Sequence, residues 1–110
     1  MKKIITLLLV LIACQAHASE YQVTIPSDSS ATYTVLQKEA VGNFMTIVTK
    51  RDGKSGVSYS KRMYSCDNNT VKYLGTGDTL EQMDNSPPDE SLSPIVPGSI
   101  ADYIGKEACR

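Results

Sequence analysis

Residues 43–75 read NFMTIVTKRDGKSGVSYSKRMYSCDNNTVKYLG. Three runs rich in β-branched and aromatic residues, 43–51, 57–66 and 69–75, are separated by two short polar turns. The first turn, RDGKSG, carries Asp52-Gly53, a strong hairpin signal because both residue types tolerate the left-handed backbone of a tight turn. The second is the DNN of residues 67–69. Strands joined by connections this short are antiparallel neighbours, since a parallel pair needs a long crossover. Upstream, YQVTI (21–25) alternates Tyr21, Val23 and Ile25 against Gln22 and Thr24 and stops at Pro26. SDSS is a loop, and ATYTVLQKEA (31–40) is a further strand. Downstream, TLEQM (79–83) fits either a short strand or a turn of helix, and DNSPPDESLSPIVPG (84–98) reads as an irregular loop.

The last stretch, VPGSIADYIGKEACR (96–110), changes period. Pro97-Gly98 turns the chain, Ser99 is an N-cap, and Asp102 three residues on completes a capping-box pattern. Ile100, Tyr103, Ile104 and Ala108 recur at helical spacing and form one apolar stripe. Gly105 weakens this helix, so it needs a surface to dock on. Consecutive strands followed by a helix predict an α+β fold: an antiparallel meander with one C-terminal helix packed on one face.

The chain opens with MKKIITLLLVLIACQAHASE. Lys2 and Lys3 form a positive start, Ile4 to Ala13 is apolar but for Thr6, and Ala16-His17-Ala18 is a small-residue cleavage pattern. The apolar run is too short to span a bilayer, so residues 1–18 read as a secretory signal peptide cut between Ala18 and Ser19. Leu11-Ile12-Ala13-Cys14 gives a competing reading, a lipoprotein lipidated at Cys14. Either way one domain of about 90 residues follows, from 19 to 110, enough for a single modest core. It is expected in the periplasm or at the cell surface of a bacterium. Loss of Lys2 and Lys3 takes the formal net charge from -1 to -3, a balance that gives no reason to expect nucleic acid as a partner.

Beyond the leader only Cys66 and Cys109 remain. In an oxidising compartment they are expected to pair, and two cysteines allow one bridge. The alternative is two free thiols, one of them reactive, but the chain has no CxxC and its one histidine, His17, lies in the leader. The same lack of histidine removes the usual acid–base and metal-binding group. No GxSxG, phosphate-binding loop or metal-ligand spacing is present. We expect a chain that is not an enzyme and takes no cofactor or metal.

Charge is uneven. Lys50, Arg51, Lys54, Lys61, Arg62 and Lys72 cluster around the hairpin, and Asp78, Glu81, Asp84, Asp89 and Glu90 in the later segment. A basic hairpin suits an acidic protein partner, and tyrosine and arginine are the types most often found in binding hot spots. Tyr64 lies two residues before Cys66 and is expected to share the helix-covered face as core. The candidate contact residues are Lys50, Arg51, Lys54, Tyr59, Lys61, Arg62 and Tyr73.

The strand running into YSCDNNTVKYLG, followed by a variable loop and IVPGSIADYIGKEAC, resembles the bacterial surface-adhesin protein E family over roughly Gln37 to Cys109. Its most specific parts are Pro97, Gly98, Ser99, Ile100, Ala101 and Cys109 together with Cys66. The resemblance implies an antiparallel sheet, a C-terminal helix, a Cys66–Cys109 bridge, and an exported binding module that holds host matrix or plasma proteins. Two other functions fit a small exported disulfide-bonded domain. One is a periplasmic inhibitor or immunity protein acting through the acidic segment from Asp78 to Glu90. The other is a structural accessory of the envelope with no ligand of its own.

Overall fold

The computed structural model describes residues 20–110. The expected signal peptide with its Ala18–Ser19 cleavage point, and the competing lipidation site at Cys14, fall outside the described residues. The expected meander is present. Six strands, β1 (Tyr21–Val23), β2 (Thr32–Val41), β3 (Phe44–Gly53), β4 (Gly56–Ser65), β5 (Thr70–Gly77) and β6 (Ser93–Pro94), lie side by side in chain order. Every neighbouring pair is antiparallel. Two helices complete the fold, α1 (Leu80–Asn85) and α2 (Ile100–Ala108).

One open reading is decided and two others change. TLEQM resolves as helix: Thr79 accepts a hydrogen bond from the Gln82 N–H, and the Gln82 side chain accepts one from the Asp78 N–H. This reciprocal cap stabilises a start that propensity alone leaves open. The proline-rich segment is not wholly irregular, because Ser93 and Pro94 pair with Val71 and Thr70 as a short edge strand. The β3–β4 hairpin turns at Lys54-Ser55 rather than at Asp52-Gly53, since Gly53 still pairs with Gly56. Gly56 supplies the positive φ of 116° that the connection needs.

One face of the sheet carries the core. Ile25, Tyr33, Val35, Ile47, Tyr64, Ile104 and Ala108 are all buried and form one cluster. Tyr21 faces Val35 and Val23 faces Tyr33, so the alternation read in YQVTI points its apolar side inward. Helix α2 covers the end of this face near Tyr64. Its entry is built as the sequence suggested. The Ser99 hydroxyl accepts from the Asp102 N–H at 3.1 Å, and the Asp102 carboxylate accepts from the Gly98 N–H at 2.8 Å. Gly98 turns the chain at φ 79°. The Tyr64 hydroxyl donates to the Ala101 carbonyl at 2.7 Å, and the Lys38 ammonium to the Glu107 carbonyl at 3.1 Å.

Gly105, read from sequence as a weak point of the helix, has a packing role. A Cβ there would lie 2.6 Å from the Tyr64 ring, so only glycine lets the helix settle on the sheet at this depth. The Cys66–Cys109 disulfide then ties the end of α2 to the residue after β4, with Cα atoms 5.7 Å apart. No described helix is long and apolar enough to cross a membrane.

Candidate functional site

The seven candidate contact residues separate once the register is known. Lys50 pairs with Tyr59, Val48 with Lys61 and Ile47 with Arg62. Successive side chains point to opposite faces of a strand. Lys50, Tyr59 and Lys61 therefore share the face away from the core cluster, while Arg51 and Arg62 turn toward it. The hairpin is one sequence cluster but two structural ones.

Arg51 is consumed by a local ion pair. Its Nε and Nη2 donate to the two carboxylate oxygens of Asp28 at 2.7 and 3.2 Å. The Tyr33 hydroxyl donates to the same carboxylate at 2.6 Å. Bonds from Arg51 and Tyr33 hold the Asp28 carboxyl below its ordinary pKa. Burial, then the bond to Asp28, pushes the Tyr33 hydroxyl up to about 12. Asp28 comes from a single 3-10 turn, Pro26–Asp28, that folds over the far end of the core face. No signal local to the hairpin could have shown this partner, which lies 23 residues away in sequence.

Arg62 is also corrected. The sequence pattern places it among solvent-facing contacts, yet it is only 4% exposed. Ile47, its cross-strand partner, is completely buried, and Arg62 shares its face. Its guanidinium donates to the Thr49 hydroxyl at 3.2 Å and to the Tyr73 hydroxyl at 3.0 Å. Tyr73 keeps the exposure expected of it, at 38%, but its ring lies against this guanidinium rather than free in solvent. Lys54 sits exposed at the hairpin tip.

What remains is a patch on the outer face. Lys72 pairs with Met63, which alternates with Lys61 and Tyr59 along β4, so Lys72 joins Lys50, Tyr59 and Lys61 there. The sequence placed Lys72 in the basic cluster, and three-strand register is the signal that puts it in the site. Lys50, Lys61 and Lys72 are half-buried and share this face with buried Val48 and Thr46. Among the described residues no carboxylate oxygen lies within 4.0 Å of the ammonium of Lys50, Lys54, Lys61 or Lys72. Helix α1 borders the patch. It rests on Gly75 and Gly77, which lie opposite Lys61 and Tyr59, and a Cβ at Gly75 would collide with the Met83 carbonyl. The acidic segment is pinned beside it: Asp89 bonds both the N–H and the C=O of Tyr73 along the β5 edge.

Two clefts lie elsewhere. One of about 150 Å³ is lined by Tyr64, Asn69, Ile95, Asp102 and the disulfide. The other, of about 390 Å³, runs between β1 and α2 and is lined by Tyr21, Val23, Tyr103, Lys106, Glu107 and Arg110. The cations of the second are already matched, Lys106 to Asp102 and Arg110 to Glu107. Among the described residues no three metal-binding side chains converge. Comparison with protein-family models, with curated proteins and with solved structures found no match.

Proposed function

We propose that this chain is an exported binding module of the bacterial envelope that recognises an acidic protein surface through the outer face of its sheet. The observation that carries this reading is the row of Lys50, Tyr59, Lys61 and Lys72 along one face, three half-buried lysines with no carboxylate in ion-pairing reach among the described residues. A paired sheet presents these side chains at fixed spacing, and a tyrosine among lysines without an ion-pair partner combines apolar area with steering. The disulfide is compatible with an oxidising destination, and the leader-like start and the resemblance to the surface-adhesin protein E family favour export. On this reading the partner is a host matrix or plasma protein or an acidic envelope protein.

The test is affinity capture with the purified domain against matrix proteins and envelope extract, comparing wild type with Lys50→Glu/Lys61→Glu. The double reversal removes two positive charges and introduces two negative ones, so capture is expected to fall on the order of tenfold or more while thermal stability changes little. Raising salt should weaken wild-type capture progressively. A partner whose binding ignores both salt and the double reversal would place recognition elsewhere on the molecule.

A further inference from the structure

The two arginines of the core face make an internal comparison. Arg51 gives its Nε–Nη2 edge to both oxygens of Asp28, the side-on geometry that suits a planar carboxylate. In Arg62 the same edge is differently served. Its Nη2 donates to the Tyr73 hydroxyl at 3.0 Å, and its Nε is buried with no acceptor among the described residues. Nη1 donates to the Thr49 hydroxyl at 3.2 Å. Both partners are neutral, and none of the ion pairs among the described residues includes Arg62. A guanidinium on a residue only 4% exposed gains little from two hydroxyls, because burying a charge is compensated only by an opposite charge and complete hydrogen bonding.

The solvent-exposed residue lying against this charge is Tyr73. Its ring centroid lies 4.8 Å from the Arg62 Cζ, and the residue is 38% exposed. It sits beside a register break. Lys61 pairs with Gly75 and Arg62 with Tyr73, so Leu74 is an extra residue on β5. The Tyr73 backbone is fixed by Asp89, which leaves the side chain as the part able to turn away.

We propose that the Arg62 guanidinium is a binding site for a carboxylate, with the Tyr73 side chain as its gate. A carboxylate that displaces the Tyr73 hydroxyl takes Nε and Nη2 together, as Asp28 does on Arg51, and supplies the missing negative charge. Thr49 holds Nη1 and fixes the plane of the guanidinium for the incoming group. The site lies on the opposite face from the lysine patch, so Lys50→Glu/Lys61→Glu should leave it intact, and the two proposals stand or fall separately.

The test is a titration of the purified protein followed by the Nε–Hε signals in ¹H–¹⁵N spectra. Only Arg51, Arg62 and Arg110 contribute, and Arg62→Lys identifies the Arg62 signal. Sodium acetate and a glutamate-rich peptide are the probes, with sodium chloride as the reference at equal ionic strength. The expected result is a saturable shift of the Arg62 Nε–Hε signal with acetate or the peptide and none with chloride. Tighter binding by acetate marks a free small carboxylate as the occupant, and tighter binding by the peptide marks an acidic side chain of a protein. Tyr73→Phe keeps the ring but removes the competing hydroxyl, so it should tighten binding by about tenfold, the scale of a hydrogen bond to a charged group. Arg62→Lys, folded by its dispersed backbone spectrum and followed in the same titrations by the backbone amide signals of Tyr73 and of residue 62, should lose the bidentate edge and weaken binding on the order of tenfold. Shifts no larger than those from chloride in both wild type and Tyr73→Phe overturn the proposal, as does an acetate response that survives Arg62→Lys unchanged.

Discussion

Tyr64→Ala is expected to destabilise the fold by about 4 kcal/mol, within the range for truncating a large buried aromatic. The residue is completely buried, and its ring is the surface on which α2 rests. Truncation removes that surface and also leaves the Ala101 carbonyl, in the first turn of α2, without the donor now 2.7 Å away. The helix has nine residues, too few to persist without a docking partner. The reciprocal change is equally diagnostic. Gly105→Ala improves intrinsic helix propensity by about 1 kcal/mol, yet it drives a methyl group into the Tyr64 ring, and overpacking of this kind costs about 1–3 kcal/mol. The packing term should win, and Tyr64→Leu should relieve part of it, giving a coupling energy on the order of 1 kcal/mol in a double-mutant cycle. Denaturant unfolding followed by far-UV circular dichroism measures all of these. Gly105→Ala protein that is more stable than wild type would show that the helix does not sit on Tyr64.

Loss of the disulfide should be about as damaging. The bridge closes a chain segment of 43 residues, for which chain entropy alone gives about 4 kcal/mol. A domain of this size has a total stability of about 5–15 kcal/mol, so Cys66→Ser or Cys109→Ser removes a large share of it. The two single mutants and the double mutant should unfold at nearly the same denaturant concentration, because each removes the same bond. Wild-type protein in strong reductant should join them. Unfolding midpoints that are unchanged by reductant would mean that α2 is held by packing alone.

The meander, its strand order and the C-terminal helix were legible because each rests on short-range signals. β-Branched runs separated by polar turns leave few topologies, and the Ser99–Asp102 cap and the stripe of Ile104 and Ala108 mark α2 directly. Tyr64 was placed in the core from its spacing to Cys66, and it is there. The candidate site was legible only in part. Composition located the basic cluster but not its division, because the side of the sheet a cation takes depends on the parity of its position. Lys50 and Arg51 are adjacent in sequence and opposite in space. The capture of Arg51 by Asp28 depends on a fold-over of the 24–31 segment that no local pattern encodes. Burial of Arg62 ran against the ordinary behaviour of arginine, and a residue that breaks that rule is where a specific role is sought. Gly105 was legible as the mark of a helix that must dock, but not as the contact itself: the close approach to Tyr64 that requires glycine is set by the sheet.

The division of the basic cluster between two faces is the claim on which the lysine patch depends, and side-chain accessibility tests it directly. Native protein would be treated briefly with an amine-acetylating reagent and, separately, with phenylglyoxal, and the modified sites mapped by mass spectrometry. Lys50, Lys54, Lys61 and Lys72 should acetylate readily. Arg110, at the exposed end of the chain, should react fastest with phenylglyoxal, while Arg51, held by Asp28, and Arg62, covered by Tyr73, react far more slowly in folded protein than after unfolding. Modification of Arg62 as fast as Arg110 in folded protein, with Lys50 and Lys61 protected, would reverse the assignment of faces and contradict the account.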